Sequence, residues 1–426
     1  MESTRIFEQL ESEVRSYCRD IPVLFRTASG HTLIDESGEH YIDFLAGAGA
    51  LNYGHNHPEL RALIIDYMSS NGITHSLDLF TEAKRAFMQE LQETILLPRK
   101  LEYRMQFTGP TGTNAVEAAL KLARRATSRH NVIAFTNSFH GMSLGALSAS
   151  GARRKRSGAG LPLGAIDRMP FDGYLEDGAD TVDYIERLLD DPGSGIDPPA
   201  AFIVETLQAE GGINEARVTW LRRLQELARR LGALLIVDEI QTGCGRTGPF
   251  FSFERAGLKP DIVCLAKSIS GFGLPMAMVL IRPECDVWEP GQHNGTFRGN
   301  NLAFVAGAGA LRFWRSSALE SSINRKALLL RARLKDIARH CQSDEVEVRG
   351  MGLLQGLAWR NRGFAKRVAE RAFHAGVIVE TCGAWDQVLK IMPPLTITEA
   401  ALTEGLGRIE EAVSFEMAGE GLAAAV

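Results

Sequence analysis

The sequence predicts an α/β fold, a mainly parallel sheet of buried strands with helices on both faces, joined to a smaller α+β unit. Between about residue 100 and 285, short β-branched runs alternate with amphipathic helical stretches, the pattern of a parallel sheet covered by helices. At 426 residues the chain is long for one core, so two lobes sharing an interface are expected. Hydrophobic residues at 45% and charged residues at 23% fit an ordinary globular protein, and 42 glycines point to many tight turns or close backbone approaches.

Taken in order, the segment from Leu33 to Asp43 reads as a hairpin turning at Ser37-Gly38. Thr111-Gly112-Thr113-Asn114 opens a helix in which Val116, Ala119, Leu120 and Ala123 share a face, with Glu117 and Lys121 spaced as an i,i+4 pair. Buried strands are predicted at Val132–Thr136, Ala201–Glu205, Ala233–Glu239, Ile262–Ala266 and Met276–Ile281. Trp220, Leu221, Leu224, Leu227, Ala228 and Leu231 line one face of a helix that Gly232 stops. After about residue 315 the pattern is helix, strand, helix, strand, helix, and the tail after Met417 is expected to fray. Neither chain end has enough apolar surface for its own core, so residues 1–60 and 316–426 are expected to pack together beside a large domain of residues 61–315. No internal repeat, low-complexity segment or linker is found.

Charge and cysteine usage narrow the function. The balance of 47 basic and 52 acidic residues, a net −5, argues against a general nucleic-acid binder. Six scattered cysteines without a C-x-x-C pair predict a reduced, cytoplasmic protein, and no metal site is expected. Met1 is followed by charged residues, and neither a signal-type stretch nor a membrane-spanning run is found, so no membrane role is expected. The basic run Arg153, Arg154, Lys155, Arg156 reads as a solvated loop, with a lid or interface role as the alternative.

The informative pair is Lys267 and Asp238. Each ends an apolar run, so two buried strands deliver an amine and an acid to one sheet edge. Alone, these would be a strand-end lysine and a helix-capping aspartate. Together they are what pyridoxal 5′-phosphate needs, a lysine to bond its aldehyde and an acid to keep its ring nitrogen protonated. Gln241, three residues after Asp238, can reach the ring's phenolic oxygen, and Phe139 after the strand Val132–Thr136 can lie flat on the ring. The helix start at Gly112 and Thr113 suits a phosphate, although it also reads as an ordinary threonine cap. Thr296 lies in a Gly/Asn-rich loop where its hydroxyl could bind an anion.

In order and wording these motifs resemble the class III, or subgroup II, pyridoxal-phosphate aminotransferases along nearly the whole chain. The resemblance rests on Asp35-x-x-Gly38-x-x-Tyr41-Ile42-Asp43-Phe44, Gly54-His55-x-x-Pro58, Phe139-His140-Gly141, Glu205 with Gln208-Ala209-Glu210-Gly211-Gly212, Asp238-Glu239-Ile240-Gln241-Thr242-Gly243, Lys267, and Pro393-Pro394-Leu395-Thr396-Ile397. It implies the fold-type I architecture, a seven-stranded mainly parallel sheet plus a small split domain, in an obligate dimer or higher homo-oligomer. Within the family, Phe44–His55, Gly72–Asp78, Thr108–Glu117, Ser268–Met276 and His293–Asn301 are worded most like the diaminobutyrate:2-oxoglutarate subfamily that begins ectoine synthesis. The implied reaction moves the amino group of glutamate onto the aldehyde carbon of aspartate 4-semialdehyde.

By the same resemblance, Lys267 and Asp238 are catalytic, and Gly112, Thr113, Phe139, His140, Glu205, Gln241 and, from a neighbouring subunit, Thr296 complete the cofactor pocket. Two positions depart from the broader family. Asn114 stands where relatives have an acid, and Lys390 stands where relatives such as the 4-aminobutyrate enzymes have an arginine that clamps the α-carboxylate and pairs with the glutamate here numbered Glu210. A lysine keeps the charge but loses the bidentate fork. Lys390 reads equally as a solvent-facing lysine on a strand edge, in which case Arg298 would hold a carboxylate. Competing readings are a 4-aminobutyrate or ornithine aminotransferase, an aminomutase or racemase on the same scaffold, and a cofactor-dependent regulator.

Overall fold

The computed structural model describes residues 4–175, 178–341 and 346–423. The N-terminal reading at Met1 through Ser3 lies outside the described residues, as do 424–426 of the tail.

The strands in chain order are β1 (Phe25–Ser29), β2 (Thr32–Asp35), β3 (His40–Asp43), β4 (Arg104–Phe107), β5 (Val132–Phe135), β6 (Ile166–Met169), β7 (Ala201–Val204), β8 (Leu207–Gln208), β9 (Asn214–Glu215), β10 (Leu234–Asp238), β11 (Ile262–Leu265), β12 (Met278–Ile281), β13 (Val346–Met351), β14 (Leu354–Trp359), β15 (Val377–Ile378), β16 (Glu380–Cys382) and β17 (Val388–Ile391). Seven of them form one sheet in the order β4-β12-β11-β10-β7-β5-β6. All neighbours are parallel except at β12, which is antiparallel to both β11 and β4. Strands β5, β7, β11 and β12 are buried at every residue, which is why they read as unbroken apolar runs rather than alternating ones.

The helix Val218–Leu231 buries Trp220, Leu221, Leu224, Leu227 and Ala228, and it ends at Gly232, whose φ of 63° is the left-handed cap that glycine adopts without a steric cost. It feeds straight into β10, so its packing fixes where Asp238 emerges.

Beside the large sheet stand two four-stranded sheets and the two-stranded pair β8-β9. The hairpin β1-β2-β3 continues into β15, because β3 pairs in parallel with Val377 and Ile378 near the other end of the chain. The four-stranded sheet β13-β14-β17-β16 is antiparallel, and β17 lies inside it rather than on an edge. Buried Arg246 ties these regions together: it donates to the side chain of Asn52 and to the carbonyls of Leu353 and Pro393.

Three local expectations need correction. Glu117 does not pair with Lys121; it accepts from the Ser143 hydroxyl and from the N–H groups of Gly145 and Ala146, capping the helix Leu144–Ala149, while Lys121 donates to the carbonyl of Gln292. Free helix N–H groups offer a carboxylate more than one exposed lysine does. The tail does not fray at Met417, since the last helix runs Glu399–Ala423. The basic run is a short helix, Arg153–Arg156, rather than a loop. No helix among the described residues is long and apolar enough to cross a membrane.

Candidate active site

Lys267 lies two residues past the end of β11, after Ala266, with its backbone at φ 53°. A non-glycine residue in the left-handed region is strained, and such strain is retained where the surrounding structure fixes it. The Nζ atom donates to the carbonyl of Ala48 at 2.7 Å. That carbonyl comes from a run of left-handed residues, Ala46, Gly47, Ala48 and Gly49, with φ between 49° and 89°. Gly49 packs so closely that a Cβ there would sit 3.4 Å from Gln241 and 3.9 Å from Lys267.

Gln241 Nε2 donates to the same Ala48 carbonyl at 2.9 Å and to Glu210 Oε1 at 3.2 Å, while its own Oε1 is buried without a partner among the described residues. Glu210 Oε1 in turn lies 2.6 Å from Lys390 Nζ. Lys390 is fully buried, which removes the reading of a solvent-facing lysine: its strand is internal and both its neighbours cover it. Lys267, Gln241, Glu210 and Lys390 therefore form one connected chain of contacts.

Asp238 ends β10 and anchors a second set. Its Oδ1 accepts from the Ile240 N–H at 3.0 Å, and its Oδ2 lies 2.7 Å from His140 Nδ1. The Phe139 N–H donates to Glu205 Oε2 at 2.9 Å. The phosphate-type helix Gly112–Thr127 joins this set by contact: a Cβ on Gly112 would sit 2.9 Å from Ile240, and one on Gly141, whose φ is 132°, would sit 2.4 Å from the Thr113 hydroxyl. Thr113 shares a 2.6 Å contact with the Ser143 hydroxyl. Asn114 Oδ1 accepts from the N–H and hydroxyl of Thr111, serving the helix cap.

Electrostatics follow from this burial. Burial pulls the Lys267 amine down to about 8, helped by Lys390 and resisted by Glu210, Glu380 and Asp238. Burial likewise raises Glu205 to about 8. For His140 burial works downward, but the hydrogen bond and charge of Asp238 outweigh it and the pKa rises. Burial opposes the ionised forms of Glu210 and Lys390, yet the pair prevails, driving Glu210 down and Lys390 well up. A partly deprotonated amine beside a strand-end acid and a helix N-terminus can act as nucleophile and base toward an anionic ligand.

Thr296 and Arg298 stand apart from both sets. Thr296 is exposed, and Arg298 donates to the carbonyls of Asn294 and Phe297 in its own loop. That loop packs on the Gly72–Asp78 segment through Asn294 with Asp78 and a 5.1 Å edge contact of His75 with Phe297.

The sequence did not reveal four other participants. The Ala48 carbonyl is a backbone group with no residue signature beyond the small-residue run around it. Glu380 Oε1 lies 2.8 Å from Lys390 Nζ, a neighbour visible only once strands are paired. The phenol of Tyr17, a residue 53% exposed, is pushed up to about 12, first by burial and then by the charges of Glu380 and Glu210. Lys155, from the basic run, holds its ammonium 3.9 Å from the centroid of the Phe139 ring.

The model of the family described as aminotransferase class-III matches residues 15–413. A protein of Halalkalibacterium halodurans named diaminobutyrate–2-oxoglutarate transaminase is 52% identical over 408 residues, 96% of each chain. One of the same name from Bordetella parapertussis is 53% identical over 424 residues, 99% of this chain and 98% of its own. A solved ornithine aminotransferase of Toxoplasma gondii, with pyridoxal phosphate in partial occupancy at its active site, superposes with a TM-score of 0.84 at 28% identity, covering 98% of this chain and 95% of its own.

Proposed function

The chain belongs to the class-III aminotransferase family, and we propose that it moves the amino group of L-glutamate onto the aldehyde carbon of L-aspartate 4-semialdehyde, giving L-2,4-diaminobutyrate and 2-oxoglutarate. One observation carries the substrate reading: a fully buried lysine, Lys390, is paired with Glu210 in direct continuity with Gln241 and Lys267. Glutamate presents a carboxylate beside its reacting carbon. Diaminobutyrate, reacting at its far amine, presents only hydrogens there. A cation that can be offered to the first and cancelled by Glu210 for the second serves both. The names of the relatives above supply the substrate pair, and the subfamily wording supports a place at the first committed step of ectoine synthesis.

Family membership implies pyridoxal 5′-phosphate, and the residues fit it: a buried amine, a strand-end carboxylate, an amide oxygen lacking a partner among the described residues, and a helix N-terminus packed against Ile240 and Gly141. When bound, this cofactor supplies an aldehyde for the amine and a ring that accepts an electron pair. In the proposed mechanism Lys267 anchors it, then takes the proton from the amine-bearing carbon of the donor and returns one to the carbonyl carbon of the acceptor. Asp238, oriented by His140 and the Ile240 N–H, keeps the ring nitrogen protonated. Phe139, its backbone fixed by Glu205, would cover the ring, and Gln241 would meet the phenolic oxygen. The N–H groups at Gly112 and Thr113, with Thr296 of a neighbouring subunit, would hold the phosphate. Arg298 is the alternative holder of a substrate carboxylate.

Single-turnover spectra test the substrate assignment. Glutamate and diaminobutyrate should each discharge the cofactor absorption band, with ornithine and 4-aminobutyrate at least about tenfold less efficient, a difference of roughly 1.4 kcal/mol. Equal efficiencies for ornithine and diaminobutyrate would replace this assignment with the ornithine type. An aminomutase would turn over without a 2-oxo acid. Lys390→Ala should slow the glutamate half-reaction more than the diaminobutyrate half-reaction, because only the first loses a charge-assisted contact, of about 1.5–3 kcal/mol. Equal losses in both would move the carboxylate subsite elsewhere.

A further inference from the structure

Glu380 is the acid that the reading above leaves without a role. Strands β16 and β17 are antiparallel, and their register sets Glu380 directly opposite Lys390. Glu380 Oε1 lies 2.8 Å from Nζ, while Glu210 Oε1 reaches the same nitrogen at 2.6 Å from a different segment. Glu380 thus pairs ionically with the same ammonium. The two acid side chains are only 12% and 21% exposed and the lysine is fully buried.

Two ionised carboxylates on one ammonium would leave an excess negative charge in a buried place, which is costly unless a proton offsets it. Bringing in the carboxylate of a substrate makes a third. The groups facing Glu380 are Lys390 on β17, Glu210 between β8 and β9, Lys267 after β11, the Tyr17 phenol and the Cys382 thiol. Among these the two acids part company. Burial raises the pKa of Glu380, Lys390 pulls it back and Glu210 adds to the rise, whereas Lys390 and Lys267 hold Glu210 down. A lysine also lacks the planar fork by which an arginine orients itself on a carboxylate, so it needs a second partner to aim it.

We propose that Glu380 is the positioning residue that makes Lys390 a working carboxylate subsite, holding the ammonium in place when Glu210 gives way and carrying a proton while a substrate carboxylate is bound. The inference rests on the reading of Lys390 as the subsite for the α-carboxylate of glutamate. The proton comes from solvent and returns to it when the carboxylate leaves. Binding of a carboxylate at Lys390 is then linked to protonation of Glu380, and the linkage is absent when only diaminobutyrate is present.

The test uses the holoenzyme and glutarate, a dicarboxylate that cannot react, followed by calorimetry and by the cofactor absorption band. Wild-type affinity for glutarate should fall as pH rises above the pKa of Glu380, approaching about tenfold per unit. Glu380→Gln, which resembles the protonated acid, should bind glutarate with that slope removed. Titrating groups remote from Glu380, and glutarate itself, are common to both proteins and cancel in the comparison. Glu380→Ala should raise KM for glutamate about tenfold, roughly 1.4 kcal/mol, with kcat and the diaminobutyrate half-reaction within about twofold. The same pH profile in wild type and Glu380→Gln overturns the proposal. If Lys390→Ala slows both half-reactions equally while the Glu380 variants still differ in slope, the subsite reading fails instead.

Discussion

Lys267→Ala should abolish multiple turnover, lowering the steady-state rate by about 10⁴-fold or more, because one side chain supplies both the anchor and the moving proton. The cause lies in its surroundings. Burial draws the amine down to about 8, so about a tenth is unprotonated at neutral pH, far more than at its ordinary 10.5. Among the described residues its hydrogen bond goes to the Ala48 carbonyl, an acceptor that holds the amine without competing for its lone pair. Alanine at this position must also take a φ of 53°, so the variant should be checked for folding by its melting temperature. The pH-sensitive band of the wild-type cofactor should disappear with the side chain. A variant that turned over at the wild-type rate with an intact fold would remove Lys267 from the mechanism.

Asp238→Asn should cost at least about 10²-fold in the rate of α-proton exchange, as expected when a preorganised charge aimed at a developing transition state is removed. An amide keeps an oxygen for the Ile240 N–H but cannot hold a ring nitrogen in its protonated form. The exchange also has a signature in stability. The folded pKa of His140 is raised from its ordinary 6.5 by Asp238, so the pair contributes stability that is complete below 6.5 and lost as pH rises through the folded value. In the amide variant that source of the shift is gone, and the melting temperature should depend less on pH across the same window. Unchanged proton exchange would refute the role of Asp238 whatever the stability data showed.

The central strands were legible because β5, β7, β11 and β12 are buried on both faces and therefore carry four apolar residues in a row. The two edge strands of the same sheet were not. β4 begins with exposed Arg104 and β6 contains Asp167 and Arg168, so neither forms an apolar run. The acid and amine at the sheet edge were legible for the same reason as the strands they end. Glu117 was misassigned because helical spacing gives a partner within the helix, while the structure offers three donors from another segment. Glu380 could not be found by spacing at all, since only the register of β16 on β17 brings it to Lys390.

The parallel pairing of β3 with β15 joins Ile42 to Val377, more than three hundred residues downstream. A ribosome working at about 5–20 residues per second releases the first strand tens of seconds before the second. The large sheet can be complete once β12 has emerged at Ile281, well before the β16–β17 hairpin exists. A nascent chain thus carries Lys267 on a finished platform while Glu380 and Lys390 are still unmade, and β3 waits with an open edge of the kind that other chains can pair with. On the proposed reading, the carboxylate subsite is assembled only after the large sheet, when β16 and β17 pair.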